Sequence, residues 1–306
     1  MSELLLIVNP HSVGGSTGRR WPEFESRLRQ SLTVPFDVTF TERPGHATLL
    51  AREGAARYGC VVAVGGDGTT NEVVNGLVDG SGPLRPDLRL GIIPRGTGGD
   101  FPRTLGIPHH IEDAAARLVR GNVREVDLAK VHFRDFAGKE TDRFFINAGE
   151  IGLGPVACQA VDRSSKRLGR RFTYTWSVLV ATLSYRDRWV TLTLDGGEPW
   201  RVHLNNAWVA NGQYSGSGIR MAPRASLDDG LLDVVIVAHS PFRQRISLLR
   251  KLRSGDFTGE PGVTYKTAHR VEAHSEKTTL IEVEGEPIGS LPAIFEITGH
   301  RLKVVA

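Results

Sequence analysis

One stretch constrains this chain more than any other: Gly65-Gly66-Asp67-Gly68-Thr69-Thr70-Asn71-Glu72. It is entered from the apolar run Val61-Val62-Ala63-Val64 and left through Glu72-Val73-Val74-Asn75-Gly76-Leu77. A short apolar run ending in glycines and followed by helical spacing predicts a strand, a tight turn and a helix. With no bulky side chains over the turn, its amides can face a ligand. The helix N-terminus behind them favours negative charge. Asp67 would repel a bare phosphate at that place. Its carboxylate makes sense if a divalent cation lies between it and the phosphates. An ordinary strand-to-helix turn would account for a single Gly-Gly-x-Gly. Here similar features recur upstream and downstream, each at the end of an apolar strand.

Upstream, Leu4-Leu5-Leu6-Ile7-Val8 has the continuous apolar character of a buried parallel strand. It ends in Asn9-Pro10-His11-Ser12-Val13-Gly14-Gly15-Ser16, a small-residue loop suited to wrapping an anion. Downstream, the strand Leu90-Gly91-Ile92-Ile93 ends in a third glycine loop, Pro94 to Phe101. Trp21, Phe24, Leu28 and Leu32 mark a helix, and Phe36 to Phe40 alternates as a strand. The loop Thr41 to Ala47 leads into a helix ending near Tyr58, and a helix over Ile111 to Arg120 closes the region with the turn Gly121-Asn122. Strands alternating with helices argue for an α/β sheet, and loops at the carboxyl ends of its strands are where such sheets bind ligands.

After about Val126 the rhythm changes to short alternating segments: 126–132, 143–148, 189–194, 207–210, 232–237, 263–271, 279–283 and 293–298. This pattern predicts an antiparallel sandwich or barrel. A helical insert from about Val156, through the basic run Arg163 to Arg171, to Leu183 interrupts it, and a second helix is expected from Pro241 to about Arg253. The division expected is 1–126 for the α/β domain and 127–299 for the β-rich domain, with the tail 300–306 free to pack back on the first.

The 306 residues suffice for one large or two ordinary domains. A net charge of +4 from scattered basic residues gives no stripe for nucleic acid, and none is expected as a partner. Cys60 and Cys158 sit in apolar surroundings and are expected as two buried free thiols of a reducing compartment. No basic-then-apolar leader and no run near the roughly 20 residues of a spanning helix is present. A cytoplasmic protein is expected, compatible with visits to an anionic membrane surface. The basic run Arg163, Lys166, Arg167, Arg170 and Arg171 serves either as a solvated helix face or, with Trp176, as an interfacial anchor. No His/Cys/Asp cluster has zinc spacing.

Six sets of residues together resemble the diacylglycerol kinase catalytic-domain family, which includes bacterial lipid kinases and the sphingosine and ceramide kinases. They are Asn9-Pro10 with Gly14-Gly15; Gly65 to Glu72; Pro94-x-Gly96-Thr97 with Asp100-Phe101; Asn147-Ala148-Gly149 with Gly152-Leu153-Gly154; Asp229 to Asp233; and Gly285-Glu286. They occur in family order and span nearly the whole chain. The Gly-Gly-Asp-Gly-Thr element alone is shared with NAD kinases; the Pro-x-Gly-Thr and Asp-Gly-Leu elements narrow it to the lipid-kinase branch. The resemblance implies a Rossmann-like three-layer α/β domain followed by a β-rich sandwich domain, with ATP between them and Mg²⁺ as its metal. It implies nucleotide contacts from Asn9, Pro10, His11, Ser12, Val13, Thr41, Gly66, Asp67, Gly68, Thr69, Thr70, Asn71, Glu72 and Thr97. It implies a structural Mg²⁺ site at the Asp229 carboxylate and the backbone oxygens of Ser226 and Leu231. The acceptor implied is a lipid at the membrane surface, and a homodimer is left open.

The general-base triplet is Asp-Gly-Glu in the family and Glu284-Gly285-Glu286 here. The carboxylate survives one methylene further out. A second departure is Gly99, where the family has Asn. Phosphoryl transfer needs positioned phosphates, a neutralising metal and an oriented hydroxyl. Loop amides and Asp67 supply the first two, and Glu286 or Glu284 would deprotonate the acceptor. On an extended strand the two would face opposite ways, so one alone is expected to face the reaction. Glu286, identical to the family, is the preferred base, with Glu284 kept open. Arg95 and Arg103 are expected as exposed arginines, with phosphate binding as the lesser reading. Two other functions remain in play: a kinase of a soluble acceptor such as a nicotinamide nucleotide, and a nucleotide-binding module without catalysis.

Overall fold

The computed structural model describes residues 3–96, 98–163, 185–251 and 254–306. Strand β1 (Leu4–Val8) and the first turns α1 (Ser12–Arg19) and α2 (Trp21–Ser31) lead to β2 (Phe36–Phe40) and α3 (His46–Ala55). Next come β3 (Cys60–Gly65), α4 (Asp67–Leu77), the small ribbon β4 (Val78–Asp79) and β5 (Gly82–Pro83), and β6 (Arg89–Pro94). Helices α5 (Asp100–Thr104) and α6 (Ile111–Arg120) complete the region. The four long strands run parallel in the order β2-β1-β3-β6. Every residue of β1 and β3 is buried, as their unbroken apolar runs require of strands covered on both faces. Trp21, Phe24 and Leu28 turn one face of α2 into the core, and Gly121 ends α6 at φ +67°.

The stretch labelled α1 begins differently from a helix. Val13, Gly14 and Gly15 are consecutively left-handed, with φ of 52°, 65° and 79°. Two glycines accept that geometry freely; Val13, branched at Cβ, carries strain. The small-residue loop is therefore a left-handed turn that becomes helical only near Ser16.

The second region contains β7 (Val123–Asp135), β8 (Glu140–Phe145), β9 (Ala148–Gly152), α7 (Leu153–Arg163), β10 (Arg188–Leu194) and β11 (Trp200–Ala210). It continues with β12 (Leu232–Ala238), α8 (Phe242–Lys251), β13 (Val263–Ala268), β14 (Arg270–His274), β15 (Leu280–Val283) and β16 (Glu286–Val305). All the pairings within it are antiparallel. Three elements differ from the pattern expected. The segment 143–148 is broken at Ile146-Asn147, between the end of β8 and the start of β9. The segment 263–271 is two strands, and β16 reaches 20 residues because register shifts at Ser290/Ala293 and Ile297/Arg301 absorb Pro292 and Gly299. Residues 164–184, including Lys166, Arg167, Arg170, Arg171 and Trp176, lie outside the described residues, as do Thr97 and Arg253. Among the described residues no helix is long and apolar enough to cross a membrane.

β16 joins the regions. Its first part pairs with β15 and β14, while Lys303 and Val304 pair in parallel with Arg89 and Leu90 of β6. Leu302, Val304 and Val305 are buried in the apolar core of the parallel sheet. A separate core forms around Val190, Leu204, Val234 and Phe295. One strand thus carries the start of the second region's hairpin and the end of the first region's sheet, which fixes the cleft between them.

Candidate active site

The cleft has a volume of about 390 Å³ and is walled by both regions. From the first come Asn9, Ser12, Val13, Gly66, Asp67, Gly68, Thr69, Arg95, Gly96, Gly98 and Asp100; from the second come Asn147, Ala148, Cys158, Ser215, Gly216, Ser217 and Glu284 to Glu286.

The glycines on the first wall are closely approached, Gly96 by backbone. A Cβ on Gly96 would lie 2.6 Å from Gly66 Cα, so two backbones cross there with only hydrogens between them. A Cβ on Gly68 would meet Glu286 Oε1 at 2.2 Å, and one on Gly98 would meet Asp67 Oδ2 at 2.6 Å. Asn9 ties the loops together: its amide nitrogen donates to Thr69 Oγ1 at 3.0 Å, and its Oδ1 accepts the His11 N–H at 3.0 Å. Asp67 opens α4 and accepts the Gly99 N–H at 2.9 Å. Burial, and then the charge of Asp100, push its carboxyl up to about 6. Asp100 is itself held by the N–H groups of Ser217 and Gly218 at 2.9 and 2.7 Å, which stitches the third glycine loop to the second region.

Several residues expected at the nucleotide do not line the cleft and have structural partners instead. Glu72 accepts the N–H groups of Gly45 and Ala47 and so caps α3. Asn71 donates to the Phe144 carbonyl and accepts from Arg143 Nε. Thr70 Oγ1 bonds back to the Gly66 carbonyl, and Thr41 N–H donates to the Val8 carbonyl beneath the loop. Pro10 packs on Gly18, and His11 is exposed.

On the second wall the expected geometry of the carboxylates is corrected. Val283 pairs with Glu286, so Glu284-Gly285 is a two-residue hairpin turn, with φ of 55° and 79°. The residues are not neighbours on an extended strand, and both carboxylates line the cleft. They are held in opposite ways. Glu286 is half-exposed and accepts from Arg143 Nη2 at 2.7 Å. Glu284 is buried, and its Oε1 accepts the N–H groups of Ile146 and Asn147 at 3.0 and 2.9 Å. Burial outweighs those two bonds, and with the charge of Asp67 it pushes the Glu284 carboxyl up to about 8.

Behind Glu284 lie two further acids that sequence reasoning missed. Glu282 and Glu150 are register partners across β15 and β9, and both are buried. Ser215 Oγ donates to Glu150 at 2.5 Å. Burial drives both carboxyls upward, Glu282 further because Glu150 faces it. Two adjacent buried carboxyls cannot both ionise at neutral pH, so they share a proton. The only signal in the sequence was alternation of glutamates in Glu282-Val283-Glu284, which looks the same as an exposed strand face. Cys158, expected to be buried, instead borders this cleft half-exposed. Arg95 also differs from an exposed surface arginine: it stacks on Phe24 at 4.3 Å, lines the cleft, and leaves its Nε without a hydrogen-bond partner.

A glycine-loop wall faces a wall of carboxylates across one cleft, a geometry suited to phosphoryl transfer. Residues 3–131 match the diacylglycerol kinase catalytic domain, and residues 149–306 match the YegS C-terminal NAD kinase beta sandwich-like domain. The chain belongs to the diacylglycerol kinase family. Within that family, it is 33% identical to a probable lipid kinase YegS-like protein of Chromohalobacter salexigens, over 82% of this chain and 77% of that one. It is 30% identical to a diacylglycerol kinase of Bacillus subtilis, over 85% and 82%. A putative diacylglycerol kinase from Bacillus anthracis superposes with a TM-score of 0.75 at 26% identity, covering 99% of this chain and 96% of that one.

The diacylglycerol kinase fold also bears on the metals. Asp67 and Asp100 both line the cleft and offer only oxygen ligands, the donor set that hard cations such as Mg²⁺ prefer. Away from the cleft, Ser226, Asp229 and Leu231 lie in one loop, where Asp229 Oδ1 accepts the Leu231 N–H at 3.1 Å. Burial, reinforced by the charge of Asp229, raises nearby Asp233 to about 6.

Proposed function

We propose that this chain transfers the γ-phosphate of ATP to a hydroxyl of diacylglycerol or a related lipid alcohol, with Glu284 as general base. The observation that carries this reading is the buried Glu284 carboxyl, raised to about 8, facing the Asp67 end of the glycine loops across the cleft. A general base works best with a proton affinity near the operating pH. Glu286 has a different task, because its carboxylate is already engaged by Arg143 Nη2 at 2.7 Å.

The amides of the glycine loops and the N-terminus of α4 bind the triphosphate, and Arg95 reaches toward it from its stack on Phe24. Asp67 and Asp100 would hold Mg²⁺, which when bound supplies positive charge that offsets the phosphate oxygens. The acceptor enters from the second region. Glu284 takes the proton of its hydroxyl as the new O–P bond forms, the bond from the γ-phosphorus to the β–γ bridging oxygen breaks, and ADP leaves. Glu286, fixed by Arg143 over Gly68, shapes the approach to the α4 N-terminus. The basic run Arg163 to Arg171 and any membrane contact it makes belong to the same reading, because the lipid must be drawn from a bilayer.

The test is γ-labelled ATP offered with diacylglycerol, other lipid alcohols and soluble acceptors including NAD, using wild type, Asp67→Asn, Glu284→Gln and Glu286→Gln. Label in a lipid acceptor, lost in Asp67→Asn and Glu284→Gln, supports the proposal. Label appearing only in NAD would replace the lipid by a soluble acceptor, and ATP binding without any labelled product would make the chain a binding module.

A further inference from the structure

The sequence holds no histidine cluster at zinc spacing, yet the fold assembles one far from the cleft. Asp187 immediately precedes β10, His203 is on β11, and His239 follows β12. Trp189 pairs with His203 across β10 and β11, and the His239 N–H donates to the His203 carbonyl at 2.7 Å. Three adjacent strands thus bring three residues together, at the start of β10, within β11 and at the end of β12. One ligand atom from each of Asp187, His203 and His239 lies within 4.8 Å of the others. The Asp187 side chain is only 2% exposed; its Oδ1 accepts from Asn205 Nδ2 at 2.8 Å, and its Oδ2 is hydrogen-bonded to His239 Nδ1. The His203 ring stacks between Trp189 and His239, with centroids 4.8 and 4.7 Å away.

We propose that Asp187, His203 and His239 form a binding site for a divalent transition metal of the zinc class, with water in the fourth position. Two imidazoles and a carboxylate are the donors that zinc accepts, whereas Mg²⁺ prefers oxygen ligands alone. Zinc sits about 2.0–2.1 Å from each nitrogen or oxygen, so its ligands are roughly 3.3 Å apart in a tetrahedron. Small side-chain rotations close the present spacing, and the ion takes its place within the Asp187–His239 contact. The Asn205 amide already orients the carboxylate from behind, as the outer hydrogen bonds of metal sites do. Trp189 covers the far face of His203.

The site is separate from phosphoryl transfer. β11 runs from His203 to Asn211, whose N–H donates to the carbonyl of Asn147 at the cleft. Eight strand residues span roughly 26 Å. The ion's role is structural: it ties the entry to β10 to the ends of β11 and β12.

The full-length protein, stripped with a chelator and dialysed against Zn²⁺ in millimolar Mg²⁺, tests this. One tightly held zinc per chain is expected. His203→Ala, His239→Asn and Asp187→Asn should each weaken it by about 10-fold or more. Zinc should raise the thermal midpoint of wild type and of Asp67→Asn, but not that of His239→Asn. His239 is exposed, so that variant separates metal loss from misfolding. Absence of stoichiometric zinc, or zinc binding that survives both histidine substitutions, overturns the proposal.

Discussion

The two walls of the cleft work by different physics. The first is made of backbone: glycines that cross at van der Waals contact, a left-handed turn at Val13 to Gly15, and the amides opening α4. Its parts are fixed dipoles set by geometry. The second is made of buried acids, with Glu284 at a hairpin corner and the Glu282–Glu150 pair behind it. Its property is proton affinity, set by desolvation. The contrast says that adding atoms should damage the first wall, whereas exchanging an oxygen for a nitrogen should damage the second.

Glu284→Gln is the strongest form of that contrast. It keeps the side chain's size and removes the base, so kcat should fall by about 10²–10⁴-fold, with ATP affinity changed little. In wild type, kcat/KM should rise with pH toward a plateau above about 8, because only the deprotonated carboxylate accepts a proton. The limb should vanish in the variant. Rapid-quench or steady-state assays across pH 6–9 read both effects, and a Glu284→Gln enzyme with an intact pH limb would move the base elsewhere.

Gly96→Ala breaks the other wall. Its new methyl meets Gly66 Cα, a backbone atom that cannot rotate away. The two glycine loops must separate, at a cost of about 1–3 kcal/mol in stability, and ATP affinity should drop by at least about tenfold. Calorimetric titration with ATP and denaturant unfolding measure the two losses. A Gly96→Ala protein that binds ATP normally would show that the crossing of the loops does not shape the nucleotide site.

These walls were unequally legible in the sequence. Glycine at Gly65, Gly66 and Gly68 announces a backbone need directly, and the apolar runs before each loop predict buried parallel strands from local pattern alone. The second wall depends on contacts between residues distant in the chain. Arg143 meets Glu286 across 143 positions, and Glu150 meets Glu282 through strand register. Two turn residues with positive φ, Glu284 and Gly285, also look like strand when one of them is a glutamate. That local misreading set the two carboxylates on opposite faces, whereas both line the cleft. The zinc-class cluster was invisible for the same reason, since its members come from three different strands.

The buried acids also make a thermodynamic prediction. Glu284, Glu282 and Glu150 hold their protons more tightly when folded than when unfolded. For Glu284 the native state binds the extra proton between about pH 4.5 and 8, so its stabilising contribution is complete below that window and is lost as pH rises through it. The slope is at most about 1.4 kcal/mol per pH unit for each such proton. Glu282→Gln should flatten the decline in stability from pH 5 to 8 by removing one member of the pair, as urea midpoints across that range would record. An unchanged slope would mean that the pair does not share a proton.

The smallest effect tests the link between the walls. Arg143 bonds Asn71 Oδ1 through Nε at 2.7 Å and Glu286 through Nη2 at 2.7 Å, so one guanidinium joins α4 to the hairpin. Lysine keeps the charge but cannot span both partners, because the fork is lost. Arg143→Lys should therefore cost about 0.5–1.5 kcal/mol in stability and a few-fold in kcat/KM, while the midpoint of the pH limb stays in place. The loss of rate decides between the carboxylates. If Glu286 were the base, losing the fork would free the reacting carboxylate itself and cost far more than a few-fold in kcat/KM. If Glu284 is the base, its proton affinity is governed first by burial, which this substitution leaves alone.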